Sequence, residues 1–173
     1  MVENATVRPQ KLEWIGRSVV RKDGAGKVSG ETKFFSDMSF PKMLFAKAAR
    51  SSYPHALIKG INTKKAEAAP GVAAVLTYKD VPGANQFGII VPDQPVLCHD
   101  KVRYIGDAVA VIAAETSEAA ERAAQLVEVE YEPLPVVSDP VEAMKPDAPK
   151  VHEKGNIQRH ATVHVGDVEK AFR

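Results

Sequence analysis

The stretch KVRYIGDAVAVIAAETSEAAERAAQLVEVEYE, residues 101–132, decides the fold. Its apolar runs at 101–105 and 108–114 predict two strands joined by a bend. A helical pattern follows at 117–126, and the alternation of Glu with Val and Tyr at 128–132 predicts a half-exposed strand. This order of elements indicates a domain in which helices pack against a sheet.

The predicted helix carries its own boundary and packing signals. Ser117 is expected to cap its N-terminus. A set of small or branched side chains recurs at helical spacing and would lie on the sheet: Ala119, Ala120, Ala123, Ala124 and Val127. In the following strand, Val129 and Tyr131 are expected to point inward. Small side chains along this face allow the helix to approach the sheet closely.

The first half of the chain repeats the arrangement with weaker signals. Strands are predicted at 43–50, 56–61 and 72–77, with a short helix at 64–69 that Thr63 can cap. Together the two halves predict an α+β fold, with a mixed β-sheet and two or three packing helices.

The two ends of the chain differ from this regular centre. Residues 1–14 carry little pattern and predict an arm. Five prolines between residues 133 and 149 predict an extended connector that runs over a surface. Beyond them, Asp167 can cap the first turns of an amphipathic helix at 168–173. We therefore expect the chain to be a piece of a longer polypeptide.

Composition argues against several classes of protein. The chain has 173 residues, and 23 Lys and Arg against 22 Asp and Glu leave a net charge of +1, so no nucleic-acid partner is expected. Cys98 is the only cysteine, which excludes an intrachain disulfide. The apolar run at 108–114 is too short to span a membrane, and the N-terminus lacks the apolar core of a signal peptide. These features predict a cytoplasmic protein.

Glycine-rich nucleotide motifs are incomplete in this sequence. Gly24, Gly26 and Gly30 have the wrong spacing for a dinucleotide fingerprint, and Val28 stands where a Walker A loop needs Ser or Thr. Residues 21–27 are expected to form a loop without a bound nucleotide.

Two arrangements of side chains give only weak indications of a metal site or of a nucleophile. His160 and His164 have the spacing of helical metal ligands, but the residues between them favour an extended chain, so solvated histidines are expected. Cys98 beside His99 looks like a nucleophile and its base, yet neighbouring strand residues point to opposite faces and favour a buried, inert thiol. The sequence therefore predicts no catalytic residue and no metal ligand, with a small independent enzyme built on these groups as a remaining alternative.

A long loop at 81–93 is the other candidate site. It is apolar in its centre and rich in turn formers at both ends, and it is unusually long for a connection between strands. Loops of this kind often carry function. The alternative is that Phe87, Ile89 and Ile90 simply pack under the sheet.

Short motifs follow one another along residues 15–156. They are Arg21-Lys22-Asp23, Gly26-Lys27-Val28-Ser29-Gly30-Glu31, Arg50-Ser51, Pro54-His55-Ala56, Pro70-Gly71-Val72, Asp80-Val81-Pro82-Gly83-Ala84-Asn85, Pro95-Val96-Leu97, Val102-Arg103-Tyr104-Ile105-Gly106-Asp107, Val129-Glu130-Tyr131-Glu132-Pro133 and Asp139-Pro140. Each is weak alone. In this order and spacing the set resembles the large subunit of the molybdenum hydroxylases, the xanthine dehydrogenase and aldehyde oxidase family.

The resemblance implies a domain and its setting. Residues 15–140 would be the α/β hammerhead domain of the family, and 141–173 a connector with the start of a missing cofactor-binding domain. The resemblance places molybdopterin, iron–sulfur clusters and FAD on other domains or subunits, so no cofactor is expected in this chain. The implied partners are the remaining molybdopterin-binding domains and the iron–sulfur and flavin subunits, and a homo-oligomer stays open.

At one place, the resemblance to the family implies a role for individual residues. In relatives that oxidise purines, an apolar side chain of the substrate channel follows a glycine that matches Gly88. The resemblance therefore implies a substrate-binding role for Phe87, Gly88 and Ile89. An apolar wall would suit planar aromatic substrates or aldehydes.

The resemblance implies that the chain forms one part of an oxidoreductase. The chain would be an N-terminal fragment of the molybdenum-binding subunit of a xanthine dehydrogenase-like hydroxylase, inactive alone. It would contribute structure and part of the channel to the hydroxylation of an aromatic heterocycle or aldehyde. The alternative is a non-catalytic scaffold module that binds partner subunits.

Overall fold

The structure, a computed structural model, describes residues 14–173. The predicted arm at 1–14 lies outside the described residues except for Trp14. The chain divides into a unit that ends at Pro41 and a unit that runs from Lys42 to Arg173. The predicted domain at 15–140 and connector at 141–173 stay predictions.

In the first unit, the prediction of a loop at residues 21–27 is wrong, because a short helix, α1, spans Gly24–Ser29. Thr32 lies against this helix, and its backbone N–H donates to the Gly26 carbonyl over 3.0 Å. A Cβ atom at position 26 would lie only 2.8 Å from Thr32 Oγ1. The glycine that suggested a loop therefore allows this close approach.

Between residues 42 and 173, six strands form two three-stranded sheets. The strands are β1 (Phe45–Arg50), β2 (Ala56–Asn62), β3 (Val72–Leu76), β4 (Lys101–Val102), β5 (Ala108–Ala114) and β6 (Glu128–Pro133). The α-helices of this unit are α2 (Lys64–Glu67), α3 (Ser117–Ala124), α4 (Pro140–Ala143) and α5 (Val168–Ala171), and a short 3₁₀ helix spans Tyr78–Asp80. Every pairing among these strands is antiparallel. The predicted α+β fold is confirmed, but two sheets with antiparallel pairings take the place of the single mixed sheet that was expected.

The two halves of the domain exchange their middle strands. One sheet has the order β1-β5-β3 and the other has the order β4-β2-β6. Each sheet thus takes its two edge strands from one half of the sequence and its central strand from the other half. Neither half contains a complete sheet by itself.

The core lies on both faces of β5. On one face, Ala110 and Ile112 pack with Ala66 of α2 and Ala123 of α3. On the opposite face, Val109 packs with Ala56, Cys98 and Val102. The predicted helix face is confirmed: Ala119, Ala120 and Ala123 are buried, and Ala124 and Val127 pack against the core. Val129 and Tyr131 also point inward as predicted.

Two predicted helix caps are corrected by the structure. The N-cap of α3 is Thr116 rather than Ser117, since Thr116 has the extended backbone of a cap and its Oγ1 accepts from the Ala119 N–H over 3.1 Å. Thr63 precedes α2 but makes no side-chain cap bond, and its hydroxyl donates to Glu67 instead.

The strand predicted at 101–105 is shortened to β4. Its continuation is replaced by a turn, in which Asp107 Oδ2 accepts from the Arg103 N–H over 2.6 Å. A carboxylate inside the turn thus competes with strand pairing for a backbone donor.

The terminal segment contains the helix predicted there. Asp167 caps α5 by accepting from the Lys170 N–H over 3.0 Å, as predicted. No helix among the described residues is long and apolar enough to cross a bilayer.

Replacement of Ile112 by Ala should destabilise the whole second unit, because Ile112 is fully buried at the centre of the core. We expect urea denaturation to show a loss of about 2–5 kcal/mol in the free energy of unfolding. Ile105, which is 67% exposed, provides the matched control. Its change to Ala should cost less than about 0.5 kcal/mol, and equal losses for the two variants would contradict the proposed core.

Candidate functional site

The loop predicted at 81–93 forms a hairpin together with the residues that follow it. The Asn85 side chain closes its base, since Nδ2 donates to the Leu97 carbonyl over 2.7 Å and Oδ1 accepts from the Leu97 N–H over 3.0 Å. The amide thus takes the place of a strand partner for Leu97, which is buried. This pairing fixes the base of the hairpin beside the core.

A second pair of hydrogen bonds closes the hairpin further out. The Phe87 N–H donates to the Gln94 carbonyl over 2.8 Å, and the Gln94 N–H donates back to the Phe87 carbonyl over 3.1 Å. Residues 88–93 therefore form a short segment beyond this bridge, which we call the hairpin tip.

The hairpin tip is tightly folded. A Cβ atom at Gly88 would lie 2.0 Å from the carbonyl oxygen of Val91, so only glycine fits this position. Ile89 is fully exposed at 104%, while Phe87 and Ile90 are 56% and 52% exposed. These three side chains do not pack under the sheet. They form an exposed apolar group that Gly88 and the bridge hold in place.

One side-chain contact joins the hairpin tip to the C-terminal segment. Asp93 Oδ2 lies 3.0 Å from Nδ1 of His152. In the same segment, the carbonyl of Val151 accepts from Lys101 Nζ over 2.7 Å. The hairpin and the segment near residue 152 are thus tied to each other and to β4.

Cys98 and His99 do not form a nucleophile and base. The Cys98 thiol is 1% exposed, and burial, with a further contribution from Asp107, raises its pKa to about 12. His99 is exposed and lies against the ring of Tyr78 at a tilt of 36°, with 5.1 Å between the ring centroids. The expectation of a buried, unreactive thiol agrees with this environment.

The buried polar groups near Cys98 hold a turn together. Besides bonding Arg103 through its side chain, Asp107 accepts the Ser51 N–H at its carbonyl over 2.8 Å, and the Gly106 N–H donates to the Ser51 carbonyl over 2.8 Å. Each of these groups has a backbone partner, which favours a structural role.

His160 and His164 are exposed, as expected for solvated side chains, and they lie in a stretch without helix or strand. Among residues 14–173, no group of three or more His, Cys, Asp or Glu side chains could hold a metal ion. A groove of about 470 Å³ lies beside β2, and two of its charged groups are already engaged: Lys59 pairs with Glu132, and Asp80 accepts from Thr77.

The side chains that shape the hairpin were missed by reasoning from the sequence. Asn85 and Leu97 are distant in the chain, and so are Asp93 and His152. The only local signal was the run of turn formers that ends at Asn85.

Comparison with known proteins identifies a family. The family model for "Aldehyde oxidase and xanthine dehydrogenase, a/b hammerhead domain" matches residues 29–135, which is more than half of the chain. A probable xanthine dehydrogenase subunit of Bacillus subtilis is 56% identical over 90% of this chain and 21% of its own length. The nicotinate dehydrogenase large molybdopterin subunit of Eubacterium barkeri is 43% identical over 92% of this chain and 37% of its own length.

Solved structures agree with this match. The aldehyde oxidoreductase of Desulfovibrio desulfuricans superposes with a TM-score of 0.76 and 37% identity, over 81% of this chain and 17% of that chain. The present chain therefore spans between about a sixth and somewhat more than a third of the length of these relatives.

Replacement of Gly88 by Ala should open the hairpin tip without unfolding the protein, because the added methyl group collides with the Val91 carbonyl. We expect about tenfold faster amide exchange at Phe87 and Gln94. A methyl group added at Gly60 would meet no atom closer than 3.9 Å, so Gly60→Ala should leave both amides unchanged. Unaltered exchange in Gly88→Ala would contradict the tight tip.

Cys98 should lower the stability of the folded protein at alkaline pH. The unfolded thiol ionises near its ordinary pKa of 9.0, whereas the folded thiol keeps its proton until about pH 12, so stability falls as the pH rises through this window. Relative to Cys98→Ala, the wild type should lose up to about 1.4 kcal/mol per pH unit between about pH 9 and about pH 12. Urea denaturation of both proteins at several pH values measures this difference, and parallel curves would refute it.

Proposed function

Because the chain belongs to the aldehyde oxidase and xanthine dehydrogenase family, through its a/b hammerhead domain, we propose that it serves in the molybdenum-binding subunit of a hydroxylase. It supplies structure and one wall of the channel that admits an aromatic heterocycle or an aldehyde. The chemistry itself belongs to the remaining parts of the enzyme.

The observation that carries this proposal is the exposed apolar group of the hairpin. Phe87 and Ile89 stand in solvent on a loop that two sets of hydrogen bonds hold in place. Such a loop keeps its position without burying its own side chains, so these side chains are available to a substrate or to a neighbouring domain. Gly88 acts indirectly, because it sets the turn from which Ile89 projects. The three residues together form the proposed contact with substrate.

The proposal gives the molybdenum cofactor no ligand from residues 14–173. The described side chains contain no suitable cluster for a metal ion, and the buried thiol of Cys98 is held in its protonated form. The family resemblance supports placing molybdopterin, iron–sulfur clusters and FAD on other domains or partner subunits, and we propose a cytoplasmic complex. When bound there, the molybdenum centre would supply the redox chemistry.

A scaffold role is the second candidate, and one observation favours it. Several large apolar side chains outside the hairpin are also exposed: Met43, Leu44, Phe45, Val163, Val165 and Phe172. Exposed apolar surface of this kind is typical of sites that bind another protein. The partners would be the cofactor-binding domains, the iron–sulfur and flavin subunits, or a second copy of this chain.

Replacement of Ile89 by Ala in the complete enzyme tests the channel role. We expect kcat/KM to change by about threefold to thirtyfold, and unequally between a purine and a small aldehyde, because the lost methyl groups contact only substrates that reach them. Steady-state kinetics with both substrates measures the change.

Ile105→Ala is the matched control, since Ile105 is exposed but lies outside the hairpin. It should leave the kinetics unchanged. Identical kinetics for wild type and Ile89→Ala with every accepted substrate would reject the channel role. Normal subunit assembly in that case would leave the scaffold role.

A further inference from the structure

The hairpin tip has few anchors. Within the tip, the Asp93 N–H donates to the Val91 carbonyl over 3.0 Å. Within the described part of the chain, the contact between Asp93 and His152 is the only hydrogen bond or ion pair that joins residues 88–93 to a segment outside the hairpin. This contact is therefore the polar link, within the described residues, that can orient the tip relative to the rest of the domain.

The contact is partly shielded from solvent. The side chains of His152 and Asp93 are 38% and 35% exposed, and 3.0 Å separates Nδ1 from Oδ2. A carboxylate only accepts hydrogen bonds, so the contact is attractive when Nδ1 of the imidazole carries a proton. Partial burial leaves this attraction less screened than that of a fully exposed pair.

Hydrogen bonds hold the backbone around His152 in place. Its carbonyl accepts from the Gly155 N–H over 2.9 Å, which closes a turn. The preceding residue, Val151, donates its N–H to Asn156 Oδ1 over 2.9 Å and accepts from Lys101 Nζ of β4 over 2.7 Å. The backbone that carries His152 is thus anchored to β4, so the imidazole can transmit that position to the hairpin tip.

We propose that His152 is a positioning residue, which orients the hairpin tip through Asp93 and thereby sets which substrates pass Ile89. This inference rests on the proposed channel function. His152 touches no substrate in this role. It acts because Asp93 follows Ile89 by four residues within one tight turn.

Hydrogen exchange of the 173-residue chain tests the positioning step without any assay of activity. Asp93→Asn and His152→Gln should each speed exchange of the Phe87 and Gln94 amides about twofold to fivefold, the range of a partly exposed ion pair. The double variant should be no faster than either single variant, because both remove the same contact.

His160→Gln is the matched control, as it makes the same chemical change at an exposed histidine of the same terminal segment. It should leave both amides unchanged, and the amides of β5 should be unaffected in every variant. Unchanged exchange in the single variants, or additive effects in the double variant, would overturn the coupling.

Kinetics of the complete enzyme then tests the consequence for substrates. Asp93→Asn and His152→Gln should change KM for a bicyclic heterocycle about twofold to fivefold, with a smaller change in kcat. If the contact were merely structural, KM would not change more than kcat. Faster exchange without a change in KM would refute the role in selecting substrates.

The kinetics also separates this inference from the proposed function. If Ile89→Ala changes KM while these variants do not, this inference alone fails. If none of the variants changes KM or kcat/KM, the channel function itself fails.

Discussion

The rest of the domain depends on the burial of β5 on both faces. Ile112 packs under the two helices, while Val109 on the opposite face packs against the second sheet. Because β5 lies between β1 and β3, which come from the other half of the sequence, its burial joins the two halves. The strand β2 does the same between β4 and β6. Each sheet therefore needs strands from both halves of the sequence.

This interlocked core leaves the connection between β3 and β4 free to carry a different task. The hairpin leaves the core at Asn85, whose amide satisfies the buried backbone of Leu97, whereas Phe87, Ile89 and Ile90 further out are exposed. A change of such exposed side chains should cost little in folding. The tip has instead a glycine turn and a contact to His152, which determine its shape and its orientation. A folded domain with a projecting apolar hairpin tip suits the proposed channel wall.

Much of the fold could be predicted because its signals are local. The alanines of α3 recur at helical spacing, and Val129 and Tyr131 alternate with glutamates, so burial follows from periodicity. The errors arose where two local signals competed. Thr116 and Ser117 are both good caps, and only the backbone conformation selected Thr116. Gly26 suggested a loop because its role, the close approach of Thr32, comes from a contact rather than from a propensity.

The sequence alone determined the α+β class, the helix that packs on the sheet, the inert character of Cys98 and the family resemblance, since these depend on spacing and composition within short windows. The tertiary structure decided how the strands are divided between two sheets, the exposure of Ile89 and the contact between Asp93 and His152. The physical reason is that these features arise between groups far apart in the chain. No local pattern encodes such pairs, because the energy of each contact exists only after folding has brought its partners together.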